Sequence, residues 1–439
     1  MNPGLRELPS RFAWPLLGDT LAFATDPSGL LASRAQELGP VFRLSLFGRP
    51  TACFVGAEAF SLLLDGENVA RAGANPPHVE EIFHRTSVPF LDGSAQKRRK
   101  RLLMAAFRED ALDGYLPIVE QLIDRHARMW VDRGAFAWVP ALHSLGFSIA
   151  RALFVDADPT QDDPAIEQAF AKVAAGLLSI PVNLPFTRYG RALKARDFIR
   201  GVVDEAIRAR EGSERGSNVL GRLMQARDGV EKLSPEELRV ETFHFFGAYS
   251  AVIGGLSFLA SALGQFPEVE SRAREEVLRE VPRGPMSVDA LKKLVYVDRV
   301  TREVRRAMPI LPLTFFGAIK RDLTFHGMRI PKGHRAVGCI GATLLDERTF
   351  PDAKQFDPDR WTQASEAQEK AWIPHGGGLH EAGHRCAGEA LAHLMMKVFA
   401  AHMLRSYRWK LAPDQDLSAT KDKLFATPAG GLWVTISPI

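Results

Sequence analysis

Cysteine is scarce in this chain. Its 439 residues include three, Cys53, Cys339 and Cys386, far apart in sequence. That excludes a disulfide framework and fits a reducing compartment. Residues 1–24 hold no apolar run near the roughly 20 residues that span a bilayer. They also lack the basic start and apolar core of a signal peptide, so a soluble, cytoplasmic protein without a membrane span is expected. Low-complexity tracts, internal repeats and long Ser/Gly/Pro linkers are missing too. The expected organisation is therefore one domain over residues 1–439, although length alone suggests about three. There is little excess charge: the net +4 is mild, which argues against a dedicated nucleic-acid binder. The 46% hydrophobic and 25% charged content is that of an ordinary globular protein.

What is present is mostly helical periodicity. Residues 28–38 and 57–64 predict helices, and 41–47 with 51–55 a strand pair around Gly48-Arg49-Pro50. Residues 66–92, with Pro76, Pro77 and Pro89, read as irregular. From 95 to about 224 the pattern is helical, with breaks at Pro140, Pro159, Pro181 and Pro185. Ser234-Pro235-Glu236-Glu237 combines a capping box with proline at the first helical position. The run 238–263 then continues as one helix to Gly264. No Arg, Lys, Asp or Glu lies between Glu241 and Glu268, so this helix is buried on most sides. A second helix is expected over about 289–308, ending at Pro309. Short strand-like pieces follow at 313–319, 323–325 and 336–340. The fold class is mainly α, a large helical domain with a small β-rich region.

Cys53 and Cys339 sit in apolar, strand-like runs and read as buried hydrophobes. Cys386 differs. It lies in Gly376-Gly377-Gly378-Leu379-His380-Glu381-Ala382-Gly383-His384-Arg385-Cys386-Ala387-Gly388-Glu389, just before a helical run over 387–401. Free backbone N–H groups and the positive end of a helix both lower a cysteine pKa. A single axial thiolate suits haem iron and pushes electron density toward O–O cleavage. The same stretch offers a rival, since His380-Glu381-Ala382-Gly383-His384 matches H-E-x-x-H. Zinc binding by that pattern needs a helix to place both histidines on one face. The surrounding glycines disfavour one, each costing about 1 kcal/mol in a helix interior.

Two further motifs precede the loop. Glu303-Val304-Arg305-Arg306 places Glu303 and Arg306 on one helical face, and Phe356-Asp357-Pro358-Asp359-Arg360-Trp361 follows. A buried glutamate between two arginines can make bidentate, charge-assisted bonds. Alone, E-x-x-R carries no signal, because solvated surface pairs share it. In this order, with the long buried helix and the cysteine loop, the set resembles the cytochrome P450 superfamily, from Trp14-Pro15-Leu16-Leu17-Gly18 to the C-terminus. The resemblance implies the P450 fold, haem b (iron protoporphyrin IX), and Cys386 as iron ligand. It implies a bracing triad of Glu303, Arg306 and Arg360. It also implies cofactor contacts from His384, Arg385, Gln96, Lys100, Gly378 and Gly388.

The loop, longer than usual and ending Gly-His-Arg-Cys-x-Gly-Glu, is similar to the fatty-acid peroxygenase branch. So are Pro309 after Glu303-Val304-Arg305-Arg306, and Asp92-Gly93-Ser94-Ala95 before a basic helix. That branch carries an Arg-Pro pair in the long helix; monooxygenases carry an acid-alcohol pair. This chain reads Phe245-Phe246-Gly247-Ala248-Tyr249-Ser250-Ala251. Gly247 and Ala248 fall in the first register and Tyr249 and Ser250 in the second, and neither pair is intact. Proton relay then rests on Ser250, Tyr249, His244 or water. The substrate pocket is expected from Phe90, Leu91, His244, Phe245, Phe246, Ala248, Ile310, Leu311 and Leu313, whose mostly apolar character implies a hydrophobic small molecule. In the basic run Lys97-Arg98-Arg99-Lys100-Arg101, some members would reach the haem propionates and others attract an acidic donor. The expected activity is monooxygenation with electrons from a ferredoxin or flavodoxin. The alternatives are a peroxide-driven peroxygenase of fatty acids or related lipids, needing no donor, and a non-catalytic haem-binding or sensing protein.

Overall fold

The computed structural model describes residues 5–11, 18–131, 133–158, 161, 163–212, 218–281 and 284–439. Trp14 to Leu17 and Pro159, both used in the sequence reading, lie outside the described residues. The molecule is mainly helical with three small sheets among the described residues. The largest is five-stranded, in the order Val41–Leu46, Arg49–Phe54, Arg335–Gly338, Gly317–Ile319, Val69–Ala70. The first two strands form a hairpin whose turn is Phe47-Gly48, with φ of 52° and 70°. Positive φ at both central residues is the type I′ geometry that matches strand twist. Arg49 and Pro50, expected in the turn, therefore belong to the strand.

The long helix runs Pro235–Gln265, with the Ser234/Glu237 capping box formed in both directions. It is long and apolar enough to cross a membrane, but 72% of its most apolar window is buried inside the protein. It is a core helix, packing on Trp138–Phe154 and on the C-terminal helix Glu389–Ser406. Gly264 does not end it. A Cβ there would come within 2.9 Å of the Leu411 side chain, so this glycine serves close packing.

Elsewhere tertiary context overrode local signals. Residues 66–92 are not irregular throughout: they contain Val69–Ala70, a helix Pro77–Phe83 and a 3₁₀ turn Val88–Phe90. Pro140 does not break a helix. It lies in the first turn of Trp138–Phe154, where its missing N–H costs nothing. The helix expected over 289–308 divides into Val288–Lys292 and Val295–Ala307. The second piece starts where the buried Glu276 carboxylate accepts the N–H groups of Tyr296 (2.8 Å) and Val297 (2.9 Å). The sequence reading also missed Tyr407–Leu411 and Trp433–Pro438, which pair antiparallel.

Candidate active site

The glycine-rich stretch is a loop, and the helix Glu389–Ser406 begins only after Gly388. Gly376 and Gly378 adopt φ of 78° and 89°, the left-handed region that glycine tolerates. The loop folds back on itself: Cys386 N–H donates to the His375 carbonyl (3.0 Å), and the His380 ring Nε2 lies 3.0 Å from the Cys386 carbonyl. Arg385 forks onto Glu389 at 2.6 and 2.7 Å. From the side, the helix Gly93–Met104 grips it. Gln96 Nε2 donates to the Gly383 carbonyl at 3.0 Å, and Lys100 Nζ to the Arg385 carbonyl. His380 and His384 thus sit in a turn and not on a helical face. Among the described residues no group of three or more His, Cys, Asp or Glu side chains could hold a metal ion, and the turn denies the H-E-x-x-H pattern the helix it needs.

Cys386 is exposed, but onto the wall of an internal cavity of about 390 Å³. Surrounding protein raises its thiol pKa. The Lys100 ammonium and the Gly388 N–H pull it down without overcoming burial. The loop's N–H group and the nearby charge thus act in the expected direction, and burial acts against them. The desolvation of the site outweighs those N–H groups and the helix end.

The wall carries most of the expected residues: Gly247, Ala248, Tyr249, Ser250, His244 and Phe245 from the long helix, with Ile310, Leu311 and Leu313. Gln96, Lys100, His384, Arg385 and Gly388 share it with Cys386. Four expected residues are elsewhere. Phe246 is fully buried and points into the core, its ring 4.6 Å from that of Phe170. Phe90 sits one layer back, 5.1 Å from the wall residue Phe315. Leu91 is off the wall, and Gly378 lies at the outer surface against Leu64. Phe246 is the one position of 243–252 that turns away from the cavity, its ring packed among Phe147, Phe154 and Phe170.

Sequence reasoning overlooked Phe83, Phe107, Phe170, Phe315, His375 and Arg305, all on the wall. Arg305 is buried and reaches His375 Nε2 (3.2 Å) and His393 Nδ1 (2.9 Å). Burial pulls its pKa down to about 10. The signal was available in a second arginine beside Arg306 on a helix with little exposed surface.

His244 Nδ1 lies 3.3 Å from the fully buried Glu241, which also takes the Val88 N–H (2.8 Å) and Arg99 Nη1 (2.6 Å). Tyr249 is buried and its phenol pKa raised, first by burial and then by Glu167, with Ser250 partly offsetting. The basic run is largely neutralised: Arg98 and Arg99 pair with Glu237, and Arg101 with Asp228. That leaves Lys97 as its exposed member without an ion pair among the described residues, so the run is not a free cationic face.

The brace is complete. Glu303 and Arg306 are fully buried and joined at 2.9 and 2.7 Å. Arg306 also donates to the carbonyls of Leu344, Ala353 and Gln355. Arg360 is placed 3.6 Å from Glu303, an ionic contact, while its own hydrogen bonds go to the carbonyls of Pro351 and Asp352.

A cysteine loop facing an apolar cavity and a buried Glu303–Arg306 brace agree with the comparison of the whole chain. The cytochrome P450 family model matches residues 8–435. The chain belongs to the cytochrome P450 family. This P450 is 30% identical to a putative cytochrome P450 120 of Synechocystis over 427 residues, 96% of this chain and 94% of the other. It is 30% identical to chicken cytochrome P450 26A1 over 422 residues, 92% and 85% of the two chains. The solved structure of retinoic acid-bound cyanobacterial CYP120A1 superposes with a TM-score of 0.90 at 29% identity, covering 99% of this P450 and all of that chain. Cytochrome P450SP alpha (CYP152B1) superposes at 0.80 with 23% identity, covering 96% and 99%, a likeness of fold alone.

The family's cofactor is haem b, and the residues present fit it. The only cavity-facing thiol among the described residues belongs to Cys386. Beside it Lys100 is buried and bonded to a carbonyl instead of a carboxylate, its pKa pulled down to about 8 by burial. Such a cation complements an acidic side group of a cofactor.

Proposed function

We propose that Cys386 is the axial thiolate of a haem b, and that this P450 inserts one oxygen atom from dioxygen into a hydrophobic small molecule. The observation that carries the reading is the Cys386 thiol facing a mainly apolar cavity, in a loop held by Gln96 and Lys100. Bound haem supplies thiolate-supported O–O cleavage. In this reading Lys100, with Gln96, His384 and Arg385, holds the acidic side groups of the cofactor. Glu303, Arg306 and Arg360 keep the loop's supporting segment in place. The apolar wall, with Phe83, Phe107, Phe170, Phe245 and Phe315, binds and orients substrate and excludes water.

Ser250 and Tyr249 are the hydroxyl groups the long helix brings to the wall. The Tyr249 phenol can donate, and burial disfavours its ionisation further. We assign proton delivery to Ser250, with Tyr249 positioning it. Electrons come from a ferredoxin or flavodoxin, and the chain works as one soluble, cytoplasmic domain. The relatives act as a guide to substrate: CYP120A1 was solved with retinoic acid bound, and other relatives are named β-amyrin 28-monooxygenase and ent-kaurenoic acid oxidase. An isoprenoid-type substrate fits an apolar, aromatic-walled cavity. The test is turnover of a retinoid, triterpenoid and fatty-acid panel with a ferredoxin system beside peroxide alone. Oxidation only with peroxide would replace this reading by the peroxygenase one.

A further inference from the structure

Two buried polar groups without partners flank one residue of the cavity wall, Phe316. The first is Asn75, itself on the wall and 2% exposed. Its Oδ1 accepts the Phe316 N–H at 3.0 Å. That bond fixes the orientation of the amide, because an N–H can only be met by the oxygen. Nδ2 is then the free end, and it has no hydrogen-bond partner. The second is Arg335, 5% exposed, whose guanidinium carbon lies 5.6 Å from the Phe316 ring centre. Its Nε and Nη1 have no partner either. Core packing does not call for three orphaned donor atoms in one place, since each leaves a desolvation cost uncompensated.

Arg335 is itself a cation, with Arg49 and the buried Glu80 carboxylate acting on it in opposite senses. Arg49 acts on Arg335 more strongly than Glu80 does, and burial holds the guanidinium down at about 10. The field of Arg335 also reaches His78 and disfavours its protonation. The charges that act on Cys386 are different ones: Lys100, Glu389 and Arg385. The wall therefore has a polar place at Phe316 that is separate from the cysteine loop and from His244, Tyr249 and Ser250 on the long helix.

We infer that Asn75 and Arg335 form an anion subsite that holds the carboxylate of an apolar acid, with Asn75 Nδ2 donating directly and the Arg335 charge acting from behind the Phe316 ring. This rests on the function proposed above and narrows its substrate to hydrophobic carboxylic acids. The acid group is held away from Cys386, and the hydrocarbon runs along the aromatic wall, so oxidation falls on carbons remote from the carboxylate.

The test is binding of matched pairs to the purified holoprotein: retinoic acid against its methyl ester, and palmitic acid against its methyl ester, by equilibrium dialysis. Asn75→Asp keeps the oxygen that accepts the Phe316 N–H and replaces the donor by a repelling oxygen. Arg335→Met removes the charge at similar volume, a change that buried positions tolerate. Wild type should bind at least one acid about ten-fold tighter than its ester, the scale of a charge-assisted hydrogen bond. Both variants should bring acid and ester to within about two-fold, chiefly by weakening the acid. Equal binding of acid and ester by wild type, or binding of neither acid, overturns the subsite. So does an acid preference that survives either substitution. The carbon-monoxide spectrum of the same samples reads the thiolate assignment separately. A protein lacking that spectrum but still choosing acid over ester fails the proposed function and keeps the subsite.

Discussion

The indole N–H of Trp361 donates to Glu303 Oε2 at 2.9 Å. Trp361 therefore takes the direct bond that the motif-based reading gave to its neighbour Arg360, which stands 3.6 Å away. The Asp357 N–H occupies Glu303 Oε1 at 3.1 Å. One buried carboxylate thus ties the helix Val295–Ala307 to the segment that leads toward the cysteine loop.

Glu303→Ala should abolish haem incorporation. It leaves the fully buried Arg306 without its counter-ion, and breaking one side of such a pair costs about 3–5 kcal/mol. Trp361→Phe removes one hydrogen bond and should cost about 1–3 kcal/mol with haem retained. Urea midpoints and haem content measure both. A stable, haem-loaded Glu303→Ala protein would show that the brace is dispensable.

Cys386→Ser should remove the long-wavelength absorption of the reduced, carbon-monoxide-bound protein while the far-ultraviolet circular dichroism is kept. The loop's contacts through His375, His380 and Gln96 use backbone atoms and do not depend on the sulfur. Stoichiometric zinc with no haem in the native protein would contradict the assignment.

Peroxide-driven oxidation of free fatty acids should be weak in the native protein, because the wall contributed by the long helix holds no arginine or lysine to place a carboxylate beside the reacting centre. Gly247→Arg tests this. The glycine is on the wall, and an added Cβ meets only Phe170, at 3.6 Å, so the site has room. This variant should gain peroxide-dependent turnover of long-chain acids by about a hundred-fold or more, the lower end of one acid-base contribution. Efficient native turnover would mean the cation is not needed.

Acid should destabilise the fold partly through His402. It is 4% exposed, and neither ring nitrogen has a hydrogen-bond partner. Burial, then the Arg405 charge, pulls its pKa from 6.5 down to about 4, with Asp124 and Glu120 opposing. The unfolded chain then binds more protons between those values. This contribution is full above pH 6.5 and is lost as pH falls toward 4. Between pH 7 and 5 the loss is up to about 2 kcal/mol. His402→Phe should flatten the pH dependence of the urea midpoint over that range. An unchanged slope would remove His402 as a source.

The family signature was legible because its parts are short and local. Ser234 with Glu237 caps a helix within one turn, Glu303 and Arg306 meet across one turn, and the glycines before Cys386 forbid a helix. Such relations follow from backbone geometry and spacing. The position of Cys386 before a helix was legible, but its thiol's raised pKa was not, since burial depends on everything packed round it.

Tertiary structure alone decided which face of each element meets the cavity. Phe245 lines it while Phe246 is buried in the core, although both are apolar neighbours in one uncharged run. It also decided where the helix expected over 289–308 divides, through Glu276 nearly twenty residues upstream. Asn75, Phe316 and Arg335, scattered through the sequence, meet because Gly317–Ile319 pairs with Arg335–Gly338 on one side and with Val69–Ala70, just upstream of Asn75, on the other. Periodicity and capping act within a few residues. Cavity walls and buried charges are made by long-range packing, which no local pattern encodes.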